Sequence, residues 1–121
     1  MRILIADDNR LVASSLATMV RSFGHEVAGI ASSGLEAIRS YSQCAPDVVL
    51  MDFSMAKLNG ATASRMILSN DPNAKIVMLS GYLSKEDLGA MECGAVAGLP
   101  KPFQMDRLKK LLEEMDDPAC N

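Results

Sequence analysis

Apolar residues in this chain gather into short unbroken runs, and between the runs they recur at helical spacing. The runs are Ile3-Leu4-Ile5-Ala6, Val27 to Ala31, Val48-Val49-Leu50-Met51, Ile76-Val77-Met78-Leu79 and Val96-Ala97-Gly98-Leu99-Pro100. Runs this short with no polar alternation predict strands covered on both faces, as in a parallel sheet. The intervening segments predict helices over about Asn9 to Phe23, Ser33 to Gln43, Ala61 to Leu68, Ser84 to Glu92 and Gln104 to Met115. Their expected inward residues are Leu11, Val12, Leu16, Met19, Val20 and Phe23 in the first and Leu35, Ile38 and Tyr41 in the second. Met66 and Ile67 are expected to face inward in the third, and Met105, Leu108, Leu111, Leu112 and Met115 in the last.

Punctuation agrees with those spans. Gly24 is a natural stop for the first helix, and Ser33-Gly34-Leu35-Glu36 matches a capping box at the start of the second. Gly60 allows a tight backbone at a helix entry, and Asp71-Pro72-Asn73 reads as a turn. Pro100 cannot donate to a ladder, which puts the fifth strand at a sheet edge. Asp116 and Asp117 face the negative end of the last helix, which is expected to fray near Met115. Strand and helix alternate five times. That predicts an α/β fold with helices on both faces of a parallel sheet and a ligand site outside the carboxyl ends of the strands.

The polar residues at those ends carry the candidate chemistry. The first strand runs into Asp7-Asp8, the third into Asp52, the fourth into Ser80 and the fifth into Lys101. Three carboxylates brought together repel one another unless a cation offsets them. Oxygen-only ligands favour Mg²⁺, with Mn²⁺ as a substitute. A carboxylate is also a nucleophile that forms an aspartyl phosphate, and the metal, the Lys101 ammonium and the Ser80 hydroxyl are suited to a phosphoryl group's oxygens. Each piece alone has a plainer reading: a helix N-cap at Asp7-Asp8-Asn9, a turn at Ser80-Gly81, a solvated loop at Lys101-Pro102. Their coincidence on four strand ends is what points to a site.

Composition narrows the classes. The 121 residues suit one domain; 49% are apolar and 22% charged, ordinary for a globular chain, and 12 basic against 15 acidic residues give a net charge of −3. With no basic stripe, direct nucleic-acid binding is not expected. No apolar run is long enough for a bilayer and no secretory leader is evident. Cys44, Cys93 and Cys120 match no metal spacing and read as free thiols, so a cytoplasmic location is expected. The nine methionines read as core filler. His25, the one histidine, reads as a surface or strand-entry residue rather than a catalytic base. Residues 116–121 form a short polar tail to a domain over 1–115.

Taken together, Asp7-Asp8, the D-x-x-M-x-x-x-x-G run from Asp52 through Met55 to Gly60, Ser80 and Lys101-Pro102-Phe103 resemble the receiver domain of two-component response regulators, over about Arg2 to Met115. The resemblance implies a flavodoxin-like (βα)5 fold with strand order 2-1-3-4-5, the order found in flavodoxin and in a chemotaxis receiver. It implies that Asp52 accepts a phosphoryl group from a phosphohistidine of a histidine kinase or phosphotransfer domain. Asp8, Asp52 and the backbone carbonyl of Ser54 would ligate Mg²⁺, with Asp7 acting mostly through water. Ser80 would follow the phosphoryl group, Lys101 would pair with it, and the bond to Pro102 would be cis. A conformational signal is implied, as is phosphorylation-dependent homodimerisation through the fourth helix, fifth strand and fifth helix. Such a domain signals and catalyses only its own phosphorylation and dephosphorylation; it stands alone or is part of a longer transcriptional regulator.

Two positions depart from that family pattern. Ala56 stands where Pro usually follows the Met, and Gly98 stands where an aromatic or His usually lies three residues before the Lys. With no side chain at Gly98, the switch is expected at Gly81 to Ser84, with Tyr82 swinging with Ser80. An alternative is a metal-dependent phosphohydrolase with an Asp nucleophile. It is disfavoured because Ser54 stands where a second acid is needed. A flavin module of the same fold is disfavoured because Asp7-Asp8 would repel its phosphate.

Overall fold

The computed structural model describes residues 1–53, 60–80, 97–100 and 105–116. In chain order the elements are β1 (Arg2–Ala6), α1 (Arg10–Ser22), β2 (Glu26–Ala31), α2 (Gly34–Cys44), β3 (Val48–Asp52), α3 (Gly60–Asn70), β4 (Ile76–Ser80), β5 (Ala97–Pro100) and α4 (Met105–Asp116). The expected Ser84 to Glu92 helix lies outside the described residues. Boundaries differ from the sequence reading by one or two residues, the ordinary scatter at frayed ends. The last helix reaches Asp116, one residue past the expected fray.

All strand pairs are parallel and the order is β2-β1-β3-β4-β5. β5 is an edge strand, as Pro100 requires. β3 is central, and every residue of it is buried. Alternate residues along the strands feed two cores. On one face Ile3, Ile5, Val48, Leu50, Val77, Leu79 and Leu99 meet Leu16 and Val20 of α1 and Leu108 and Leu112 of α4. On the other, Leu4, Val49, Met51, Ile76 and Met78 meet Ala37 of α2 and Ala63 and Ile67 of α3. β1 and β2 slip by one residue between Ile3 and Leu4, so Val27 pairs with Ile3 but Gly29 with Leu4.

The helix faces need four corrections. Leu11 is 80% exposed, and Leu35, Met66 and Met105 are about half exposed, although each belongs to an apolar pattern read as inward. Ala13, Ala17, Ala37 and Ala63 take the buried positions. Their small side chains let helix backbones lie close to the sheet. Leu11, Leu35 and Met105 all sit in first turns, where the helix is just leaving the sheet edge.

Caps account for the helix ends. Asn9 accepts from the backbone N–H groups of Leu11 and Val12, and Gly24 follows α1 at φ +89°. Ser33 Oγ accepts from the Glu36 N–H at 3.1 Å, but the Glu36 carboxylate accepts from the Ser32 hydroxyl at 2.8 Å. The capping box is therefore closed through Ser32. Ala45 caps α2 in the left-handed region at φ 47°, unusual for a residue with a Cβ. The Arg2 guanidinium donates to the carbonyl of Cys44 at the same helix end and pairs with Glu26 at 3.2 Å. The Asp71 turn holds Asn73 N–H at 3.1 Å and receives the Tyr41 hydroxyl at 2.7 Å, tying α2 to the end of α3.

Candidate functional site

The carboxyl ends of β1 and β3 lie side by side, in register at Ala6 and Met51. The residues that follow are the acids. Asp7, Asp8 and Asp52 each present a carboxylate oxygen, and these oxygens all lie within 4.8 Å of one another. Asp7 is 2% exposed and Asp52 7%, whereas Asp8 faces solvent. The cluster is thus two sheltered carboxylates with a third at the mouth. Three negative groups at such spacing suit a hard cation bound by oxygen that keeps part of its water shell on the open side.

Two of the acids are placed by backbone bonds. The Asp7 N–H donates to the Ala31 carbonyl at 3.0 Å, which extends the β1–β2 ladder by one residue. Its Oδ1 accepts from the Asn9 N–H at 2.9 Å, so the same turn that caps α1 also orients the Asp7 carboxylate. Asn9 reads from sequence only as a cap; its backbone contribution to the site has no sequence signature. Asp52 is the last residue of β3, paired with Leu79 of β4.

Gly60 touches the site from behind. A Cβ built there would lie 2.2 Å from the Asp52 carbonyl oxygen and 3.0 Å from both the Asp52 carbonyl carbon and Phe53 Cα. The Gly60 N–H donates to the Phe53 carbonyl at 2.8 Å. The glycine of the D-x-x-M-x-x-x-x-G run is therefore demanded by close backbone approach.

Among the other expected site residues, Ser80 ends β4 opposite Pro100, and Gly98 lies in β5 opposite Met78. Both backbones reach the same sheet edge as the acids or the strand leading to it. Ser54, Tyr82, Lys101 and Pro102 lie outside the described residues. His25 is half-buried before β2, where its Nδ1 lies 3.0 Å from the amino terminus, at the opposite end of the sheet from the acids. Cys44 is a free thiol. Among the described residues, no helix is long and apolar enough to cross a membrane.

Comparison with known proteins follows the same lines. The family model for the response regulator receiver domain matches residues 3–113. The chemotaxis protein CheY of Thermotoga maritima is 36% identical over 94% of this chain and 96% of that protein. The transcriptional regulatory protein PdtaR of Mycobacterium tuberculosis is 39% identical over 93% of this chain, which spans 55% of that protein. Among solved structures, a chain of the CheX-CheY-BeF3-Mg complex from Borrelia burgdorferi superimposes with a TM-score of 0.90, at 24% identity, over 97% of this chain and 90% of that one. The phosphohydrolase and flavin readings find no support in these matches.

Proposed function

Because the chain belongs to the response regulator receiver domain family, we propose that Asp52 is its phosphoacceptor and that Asp7 and Asp8 complete a Mg²⁺ site beside it. The observation that carries this reading is the meeting of three carboxylates, within 4.8 Å, at the end of the central strand. The donor is a phosphohistidine of a histidine kinase or phosphotransfer domain. An Asp52 carboxylate oxygen attacks phosphorus, the P–N bond breaks, and its electron pair leaves with the imidazole. Mg²⁺, when bound, supplies positive charge for the phosphoryl oxygens and offsets the carboxylates; Mn²⁺ has the same chemistry. Asp52 supplies the nucleophile, and shelter by the sheet limits competition from water.

Ser54 through its carbonyl, Ser80 and Lys101 are assigned the remaining ligand, hydroxyl and cation roles that the family pattern gives them. Pro102 is assigned the cis-proline place that the family pattern gives it. The receiver domain is assigned to residues 1–115. Its place in a cell is the cytoplasm, where such kinases present their phosphohistidines. Gly98 supplies no side chain to move, so Tyr82 is assigned the switch. Structures with and without beryllofluoride that superimpose at 81–84 would rule that out. Phosphorylation-dependent pairing of two copies through the expected Ser84 to Glu92 helix, β5 and α4 is checked by sedimentation with and without beryllofluoride; an unchanged mass argues against it.

The deciding experiment for the site is labelling. Acetyl phosphate with Mg²⁺ should add one phosphoryl group, released by base or hydroxylamine. Asp52→Ala should abolish it. Equal labelling of that variant would remove Asp52 from the reaction.

A further inference from the structure

We propose that Gly60 is a positioning residue for the phosphoacceptor: its bare Cα sets the carbonyl end of β3, and so the place of the Asp52 carboxylate relative to Asp7 and Asp8. The inference rests on the reading of Asp52 as the reacting group and adds a residue that determines its placement.

The argument begins with one peptide plane. The Phe53 N–H donates to Leu79 of β4 at 2.8 Å. A trans peptide points its C=O away from its N–H, so the Asp52 carbonyl points away from β4. On that side the β1 register has already ended, at Ala6 and Met51. Beyond that point β1 has become the Asp7 turn. Gly60 meets the Asp52 carbonyl oxygen so closely that an added Cβ would lie 2.2 Å from it. Gly60 also holds the next carbonyl, that of Phe53, through its N–H at 2.8 Å. One residue therefore acts on two consecutive carbonyls, just where the strand ladder supports β3 from one side only.

The atoms facing the missing Cβ are backbone, so no side-chain rotation relieves the overlap. A methyl group at position 60 leaves two outcomes. Either the Asp52–Phe53 peptide rotates and carries the Asp52 carboxylate with it, or α3 retreats, breaks the bond to Phe53 and loosens Ala63 and Ile67 from the sheet. Asp7 is held independently, by Ala31 and by the Asn9 N–H. Displacement therefore changes the spacing between Asp52 and a fixed Asp7-Asp8 turn.

Gly24 provides a matched control. It lies at φ +89° with nothing within 4 Å of an added Cβ, so Gly24→Ala introduces strain without overlap and far from the acids. Gly60→Ala and Gly24→Ala are compared with the natural chain by Mg²⁺ titration and by initial rate with acetyl phosphate, at a temperature where each is fully folded. A displacement approaching 1 Å lowers a rate about ten- to a hundredfold, and Gly60→Ala is expected to fall in that range and to bind Mg²⁺ more weakly. Gly24→Ala, though less heat-stable, is expected to stay within about twofold in both, because its strain lies outside the reacting geometry.

Gly60→Ala at natural rate and Mg²⁺ affinity, or an equal loss in Gly24→Ala, overturns the proposal. If Gly60→Ala does not fold, amide exchange in the natural chain decides. The Gly60 N–H should exchange more slowly with Mg²⁺ and beryllofluoride bound, and an unchanged rate overturns it. A natural chain that takes no label refutes the Asp52 reading instead, while the Mg²⁺ comparison still decides the role of Gly60.

Discussion

Asp7 and Asp52 lie almost wholly out of solvent with Asp8 at the entrance, an arrangement that concentrates negative charge where water screens it poorly. A cation should therefore stabilise the folded chain. At ten times its dissociation constant, Mg²⁺ should add about 1.4 kcal/mol, seen as a rise in the urea midpoint that EDTA reverses. Asp8→Asn should remove most of that rise. Elsewhere, Tyr41 donates to Asp71 at 2.7 Å. Burial first, then the hydrogen bond and the negative charge of Asp71, push its pKa up to about 12. A raised folded-state pKa favours the protonated phenol, so this contribution is complete below pH 10 and is lost as pH rises toward 12. Tyr41→Phe should cost about 1.5 kcal/mol at neutral pH, and its urea midpoint should converge on that of the natural chain above pH 10. A constant difference across that range would contradict the assignment.

Among the described elements, α2 carries the clearest local strain. Its cap, Ala45, sits at φ 47°, where a Cβ crowds the following carbonyl. Ala45→Gly should raise stability by about 1 kcal/mol, measurable as a higher urea midpoint with unchanged slope. That strain is invisible in sequence, because the residue before Pro46 reads as extended. The strands were far more legible. Val48 to Asp52 is apolar until its final residue because it is covered on both faces, and burial of that kind leaves an unbroken run. The helices were half legible. Their spans follow from caps and spacing, but their inner faces do not, since alanine is neutral in a hydropathy pattern and Leu11 or Met105 dominates it. The acid cluster was readable because Asp52 ends one strand and Asp7 and Asp8 directly follow another. The grip of Gly60 on Asp52 was readable only as a motif letter and a tight helix entry, because hydropathy carries no record of which backbone atoms it meets.

At the scale of the whole molecule, two cores share one sheet, and β3 contributes to both. Leu50 belongs to the core under α1 and α4, and Met51 to the core under α2 and α3. Leu50→Ala and Met51→Ala should each cost about 2–5 kcal/mol. Each should shift a single transition that far-ultraviolet dichroism and tyrosine fluorescence report together. Two separated transitions would show that the layers unfold independently. The slip between β1 and β2 has a different kind of consequence. β2 takes six residues to run beside the five of β1, and the surplus is absorbed at the outer rim, while Ala31 still arrives beside Ala6 to receive the Asp7 N–H. The rim therefore works as a length reserve. Descendants of this chain can gain or lose a residue around Ala28 and keep their acids in place, whereas β3, hemmed in by two neighbours, has no such slack. Length variation should accumulate at one border of the sheet and be purged from its middle.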